Sequence, residues 1–350
     1  MQTEISNSIQ NLKNENWQNI VRKYMKPSEA KSYWQIINSF IPYFFSWVVA
    51  AYVFQYSVIL TFLVALFASA FLIRIFIVMH DCGHGSFFKS KKKNNFWGFI
   101  AGAATFAPYQ QWSKAHKIHH KGSGNLDARG VGDIDLLTVE EYQKLTLWGK
   151  FKYRFVRSPL VFLFLGSFYV FVIQHRFTQK YSSGKERLNV YFTNLSILLF
   201  AAFIIYFCGL KFYLFYQFSV LLITAMTGVY LFYVQHQYET VYWREAKDWN
   251  FFEASMQGSS FLKLPKVFQW MTGNIGYHHI HHLCSSIPNY NLEKAYKENP
   301  IFQNCTTIGL KESFRCLFLN LYDYNQKKLI SFKEYKKRHR SESLSGQYNT

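Results

Sequence analysis

The chain has 350 residues, half of them hydrophobic and a fifth aromatic, and its 39 Lys and Arg against 20 Asp and Glu give a net charge of +19. The basic residues show no aromatic-interleaved recognition motif and instead flank apolar runs, which argues against nucleic acid as partner and for anchoring at a membrane. The five cysteines, Cys82, Cys208, Cys284, Cys305 and Cys316, form no CxxC pair, which argues against a disulfide scaffold or a structural zinc site.

Residues 1–36 carry Glu, Lys and Asn throughout and lack a compact apolar core, so they read as a cytoplasmic N-terminal segment and not as a cleaved signal peptide. Two apolar runs follow, 37–57 and 58–79, each near the length that crosses a bilayer as a helix. Arg74 is their one charged residue; it is expected to snorkel to the inner face or to pair with an acid there. The stretches 96–109 and 160–173 are too short for a crossing and fit interfacial or re-entrant helices.

A second pair of runs, 190–210 and 212–235, leaves almost nothing for a connection. The spacing therefore predicts an all-α integral membrane protein with four transmembrane helices in two hairpins. Lys211 is the only basic residue in the short outer turns, whereas Lys13, Arg22, Lys23, Lys26 and Lys31 precede the first run. The positive-inside rule then places both termini and the segments 80–189 and 236–330 in the cytoplasm. A bacterial plasma membrane is the favoured setting, or the endoplasmic reticulum in a eukaryote. The tail, 331–350, is basic with a Ser-rich end and is expected to be solvated or disordered.

Twelve histidines are present, and ten of them fall in four places on the predicted cytoplasmic side. His80 and His84 stand at i and i+4 on a helix continuing out of the second run, so both rings share one face. His116, His119 and His120 stand at i, i+3 and i+4, and His278, His281 and His282 repeat that spacing, with His279 directed elsewhere. His236 lies alone at the end of the fourth run; by itself it would read as an interfacial polar residue. His175 and His339 receive no role.

Nine neutral nitrogen donors exceed what one tetrahedral zinc takes and suit two metals, each with an open position. The alternative is nine rings crowded at one membrane face with no ligand to bind, each still needing a hydrogen-bond partner. Imidazole alone leaves iron, copper, nickel and zinc open. Asp81, Asp127, Asp133, Asp135 and Glu239 are candidates to accept the second ring N–H of a ligating histidine, with helix capping or plain surface charge as the competing roles. Asn274, four residues before His278, would share its face and could hold a water near the metal.

These boxes resemble those of the membrane fatty acid desaturase family, whose pattern His-x-x-x-His, His-x-x-His-His and His-x-x-His-His is met by His80/His84, His116/His119/His120 and His278/His281/His282. The runs Asn125-Leu126-Asp127-Ala128-Arg129-Gly130, Phe232 to Glu239, Gly273 to His279 and Pro288-Asn289-Tyr290-Asn291-Leu292 resemble the bacterial acyl-lipid branch. The resemblance covers about residues 30 to 330 and implies a four-span stem under a cytoplasmic helical cap, with two iron ions held by the nine histidines. It implies O2 as co-substrate and a fatty acyl lipid as substrate. No His-Pro-Gly-Gly segment and no Rossmann fingerprint occurs, so electrons are expected from an external ferredoxin-like or other small donor, and the basic cap would attract an acidic one.

Two other readings share parts of this pattern. A membrane hydroxylase or ketolase acting on an alkane, sterol or carotenoid would show similar boxes, since imidazole spacing does not decide between oxygen insertion and hydrogen removal. A metal-handling transporter would need polar residues near the middle of its spans, where this chain offers little beyond Arg74.

Overall fold

A computed structural model describes residues 17–133 and 135–338. After a short α1 (Trp17–Arg22), α2 (Glu29–Phe54) and α3 (Val58–His84) form the first hairpin. Ser28 and Ser57 start them, each side chain accepting from the backbone N–H three residues on, Lys31 and Leu60. α3 ends at Gly85, whose φ of 74° is the left-handed value that glycine adopts without strain.

Then come α4 (Lys91–Ala104) and α5 (Tyr109–Gly122), neither long enough to cross. Past β1 (Leu137–Thr138) and α6 (Val139–Lys144), α7 (Leu147–Val156) meets a π-helical stretch over Val161–Gly166 and Tyr169–Ile173 at a bend of 70°. The second hairpin is α8 (Gly184–Cys208) and α9 (Leu210–His236), joined through Gly209 at φ 84°.

The C-terminal part runs through α10 (Phe251–Gln257), β2 (Phe261–Lys263), α11 (Lys266–Met271), α12 (His278–Leu283), α13 (Asn289–Glu298), α14 (Pro300–Gln303), β3 (Thr307–Gly309), α15 (Leu310–Cys316), β4 (Leu319–Asp323) and β5 (Lys328–Ser331). A helix over 332–338 follows, within the stretch expected to be a loose tail; Arg338 there donates to Asp323 at 2.6 Å. His339 and the remaining tail lie outside the described residues.

Among the described residues, α2, α3, α8 and α9 are the helices long and apolar enough to cross a membrane singly. They match the four expected runs, with α2 and α8 starting some residues earlier. The chain is mostly helical but not wholly so. β1, β4 and β5 form one sheet, with β1 parallel and β5 antiparallel to β4, and β2 pairs in parallel with β3. These strands are two to five residues long and sit among helices, so no period-two stretch marks them in the sequence.

Lipid tails are as apolar as leucine, so small residues and interhelical hydrogen bonds hold spans together. Ala50, Ala65 and Ala68 are fully buried where α2 meets α3. Tyr216 of α9 donates to Ser46 of α2 at 2.8 Å, and Ser69 of α3 reaches the Val220 carbonyl of α9 at 3.3 Å. Arg74 meets no acid. It is buried, donates to Ser39 Oγ at 3.3 Å, to Asn38 Oδ1 at 3.2 Å and to the Trp270 carbonyl, and lies 3.7 Å from the centre of the Trp270 ring. Neutral acceptors and a π face satisfy the guanidinium, and they tie both spans of the first hairpin to α11.

Candidate metal centre

Four segments bring the boxes together. α3 carries His80 and His84 in its last two turns, where burial around Asp81 and Cys82 holds the helix end. α5 is set against it by close contact: Tyr109 donates to the Cys82 carbonyl at 2.9 Å, and a Cβ on Gly98 of α4 would meet the Tyr109 ring at 2.4 Å. Glycine is required there because the ring occupies the space a side chain would take. α9 ends at His236, whose neighbour Gln235 donates to the Ile275 carbonyl at 2.9 Å and so fixes α9 to the approach of α12.

His80, His84, His116 and His281 place their candidate ligand nitrogens within 4.8 Å of one another, and His119, His236 and His282 do the same. The two remaining rings adjoin these groups. His120 Nε2 is 3.1 Å from His116 Nε2 and 3.0 Å from His281 Nε2, and its ring stacks on His282 at 4.1 Å. His278 Nε2 is 2.9 Å from His236 Nε2. All nine thus meet in one place, in two neighbouring groups.

The tautomers follow from the outer partners. Asp81 Oδ2 accepts from the backbone N–H and the side-chain amide of Asn289 at 2.7 and 2.8 Å, and its Oδ1 accepts from His80 Nδ1 at 2.9 Å. Asp133 accepts from His119 Nδ1, and the Gly258 carbonyl accepts from His236 Nδ1 at 3.0 Å. Each of these rings therefore carries its hydrogen on Nδ1 and turns a bare Nε2 lone pair inward.

His119 Nε2 and His236 Nε2 face each other at 3.2 Å with no hydrogen left to share. Two lone pairs at that distance repel unless a cation lies between. Two nitrogens bound at about 2.1 Å to one metal stand about 3.0 Å apart at right angles and about 3.4 Å apart in a tetrahedron. The Nε2 separations of 2.9 to 3.2 Å lie near the right-angle end of that interval. Buried nitrogens without any partner, Nε2 of His84 and of His282 among them, fit the same requirement.

Burial, followed by mutual repulsion among the imidazoles, holds His116, His120, His278, His281 and His282 well below the ordinary histidine range. They are neutral donors at physiological pH, as metal ligation needs.

The supporting residues divide. Asp81 and Asp133 meet ligand-box rings. Asp127 instead accepts from the Ala246 backbone N–H at 2.8 Å, Glu239 is exposed beside Lys328 at 3.1 Å, and the Asp135 carbonyl accepts from Arg157 at 3.3 Å. α12 begins only at His278, and Asn274 sits before it at a left-handed φ of 59°, so the shared helical face does not exist there. Asn274 donates to the Asn289 carbonyl at 3.3 Å, next to the Asp81 partner. His279 is buried and donates through Nε2 to the Phe302 carbonyl at 2.8 Å.

Sequence reading missed two contacts. Trp112 stacks on His116 at 4.5 Å, a pairing that its i−4 position on α5 signals, and Asn289 anchors Asp81 from 208 residues away, which no local pattern signals.

A family model described as fatty acid desaturase matches residues 56–311. A fatty acid desaturase of Bacillus subtilis is 44% identical over 316 residues, 90% of each chain. An sn-1 oleoyl-lipid 12-desaturase of Synechocystis is 29% identical over 246 residues, 64% of each chain, and an sn-1 acyl-lipid omega-3 desaturase (ferredoxin) of the same genus is 25% identical over 255 residues, 65% of this chain and 68% of the relative. With the histidine groups assembled as such chemistry requires, these likenesses lead to one conclusion: the chain belongs to the fatty acid desaturase family.

Proposed function

We propose that this protein introduces a double bond into the acyl chain of a membrane lipid, using O2 and two iron ions held by His80, His84, His116, His119, His120, His236, His278, His281 and His282. The observation that carries the reading is the facing pair of bare Nε2 atoms on His119 and His236, one pair in a ring of nine. Oxygen reduction and removal of two hydrogens from neighbouring methylenes are the chemistry a bound iron pair supplies. Its balance takes one O2, two electrons and two protons to two water molecules for each double bond formed.

The chain's own residues orient and enclose. Asp81, Asp133 and the Gly258 carbonyl hold three rings in the ligating tautomer, and Asn289 holds Asp81. Phe232 packs edge-on to His119 at 5.0 Å and Trp112 covers His116, keeping water from that side of the rings.

The four-span stem, residues 37–330 as one membrane domain, and both termini on the cytoplasmic side accord with the distribution of Lys and Arg. Electrons come from a small acidic carrier. The basic balance of the chain supports this, and one relative's name includes ferredoxin. The acyl chain enters between stem and cap.

Expression in a bacterial host with gas chromatography and mass spectrometry of its membrane fatty acids tests the proposal. New double bonds that vanish in His119→Ala, with two iron per purified chain, are the expected result. A hydroxylated product would instead favour oxygen insertion, and one zinc per chain would overturn the ligand assignment.

A further inference from the structure

α7 has a bare face. Leu147, Trp148, Phe151 and Phe155 are 86, 71, 58 and 50% exposed, and the three rings stack in succession, Trp148 on Phe151 at 5.3 Å and Phe151 on Phe155 at 6.4 Å. The opposite face is held to the cap by Tyr153, which is buried and donates to the Asn320 carbonyl at 2.7 Å, and at the flank of the bare face Arg154 donates to Tyr142 at 2.6 Å. Three cations, Lys150, Lys152 and Arg154, lie within this one helix.

α7 and the helix Val161–Arg176 are together apolar enough to count as a broken crossing. Connectivity excludes that. His120 and His281 stand 3.0 Å apart, Nε2 to Nε2, so the number of crossings between them is even. α8 and α9 supply two, and a third would put the two boxes on opposite sides of the bilayer. At the bend, Arg157 is buried and donates to the Asp135 carbonyl at 3.3 Å, to Gln237 at 3.2 Å and to the Leu319 carbonyl at 3.0 Å. Its bonds fix the bend at the level of His236, where α9 ends.

We propose that α7 lies in the plane of the membrane, its bare aromatic face buried at the headgroup boundary of the leaflet on the histidine side, with its cations recruiting anionic lipid. An aromatic face flanked by Lys and Arg is the composition that settles at that boundary. The inference rests on the four-span reading and adds to it a lipid-docking surface that holds the cap down.

Photocrosslinking of the full-length protein in nanodiscs tests it. p-Benzoylphenylalanine replaces Phe151, with Phe203 on the outer face of α8 as the span control and Tyr324 between β4 and β5 as the aqueous control. Lipid adducts at 151 and 203 but not at 324, with a higher yield at 151 in phosphatidylglycerol discs than in phosphatidylcholine discs, are the expected result. Adducts at 203 alone overturn the docking surface and leave the spans standing, and a crosslinked dimer through 151 replaces lipid by a second copy of the chain. Equal yields in the two discs overturn the anionic preference. Absence at both 151 and 203 overturns the membrane reading and this inference with it.

Discussion

His119 and His236 stand 117 positions apart in the chain, yet their Nε2 atoms face each other at 3.2 Å while their Nδ1–H groups are spoken for by Asp133 and Gly258. Two ring nitrogens that are both acceptors can share a cation. His236→Ala is expected to remove iron and lipid desaturation together. His279→Phe is expected to keep both, because His279 turns away to the Phe302 carbonyl, and to lose about 1–3 kcal/mol of stability by leaving that carbonyl unpaired. Iron per chain and denaturation midpoints of the two variants check this; metal loss from the His279 variant would contradict it.

The carboxylates behind the rings are expected to tune metal affinity. Asp81→Ala and Asp133→Ala each free a ring to rotate or change tautomer, and a loss of about 10–100-fold in iron affinity is expected from removing such a partner. Asp127→Ala, whose carboxylate meets Ala246 and no histidine, is expected to leave affinity unchanged. Chelator competition on the three purified variants distinguishes them.

Acid should destabilise the metal-free protein. His116, His120, His278, His281 and His282 are held below 6.5 in the fold, chiefly by burial, whereas in the unfolded chain they take a proton near 6.5. Below that pH the unfolded state binds more protons, so stability is whole above 6.5 and falls as pH drops beneath it, by up to about 1.4 kcal/mol per pH unit for each such histidine. Thermal unfolding of the chelated protein from about pH 8 to about pH 5 reads this out. A flat profile would sink the idea.

Gly98→Ala probes the seat of α5. Its Cβ would fall 2.4 Å from the Tyr109 ring, so either the ring or α4 must shift, at a cost of about 1–3 kcal/mol for an overpacked site. Because Tyr109 also holds the Cys82 carbonyl, the shift carries the second box away from the first, and iron content is expected to fall with stability. Unchanged iron and unfolding midpoint would show that the contact relaxes freely.

Much of this was legible beforehand for physical reasons. A bilayer crossing imposes a length, so the four runs stand out, and a shared helical face imposes i, i+3, i+4 spacing, so the boxes do too. What lay hidden depends on turns and on distance in the chain. The left-handed backbone at Asn274 breaks the helix that its spacing from His278 would imply, and Glu239 follows α9 into a turn that leads it to Lys328. Arg74 found a carbonyl and an aromatic face on α11, 196 residues away, where an acid was the natural guess. Short strands such as Leu137–Thr138 exist only through partners such as β4.

Each histidine group draws on both halves of the chain: His80, His84 and His116 wait for His281, and His119 waits for His236 and His282. During synthesis, then, a ribosome that has delivered only the first hairpin presents an open, half-built cage, and the carboxylate that steadies His80 still lacks Asn289. On the proposed ligand set, iron loading belongs to the finished polypeptide. Premature termination anywhere before residue 281 should yield a product that lacks a ligand in each group and stays idle, however much iron the cell supplies.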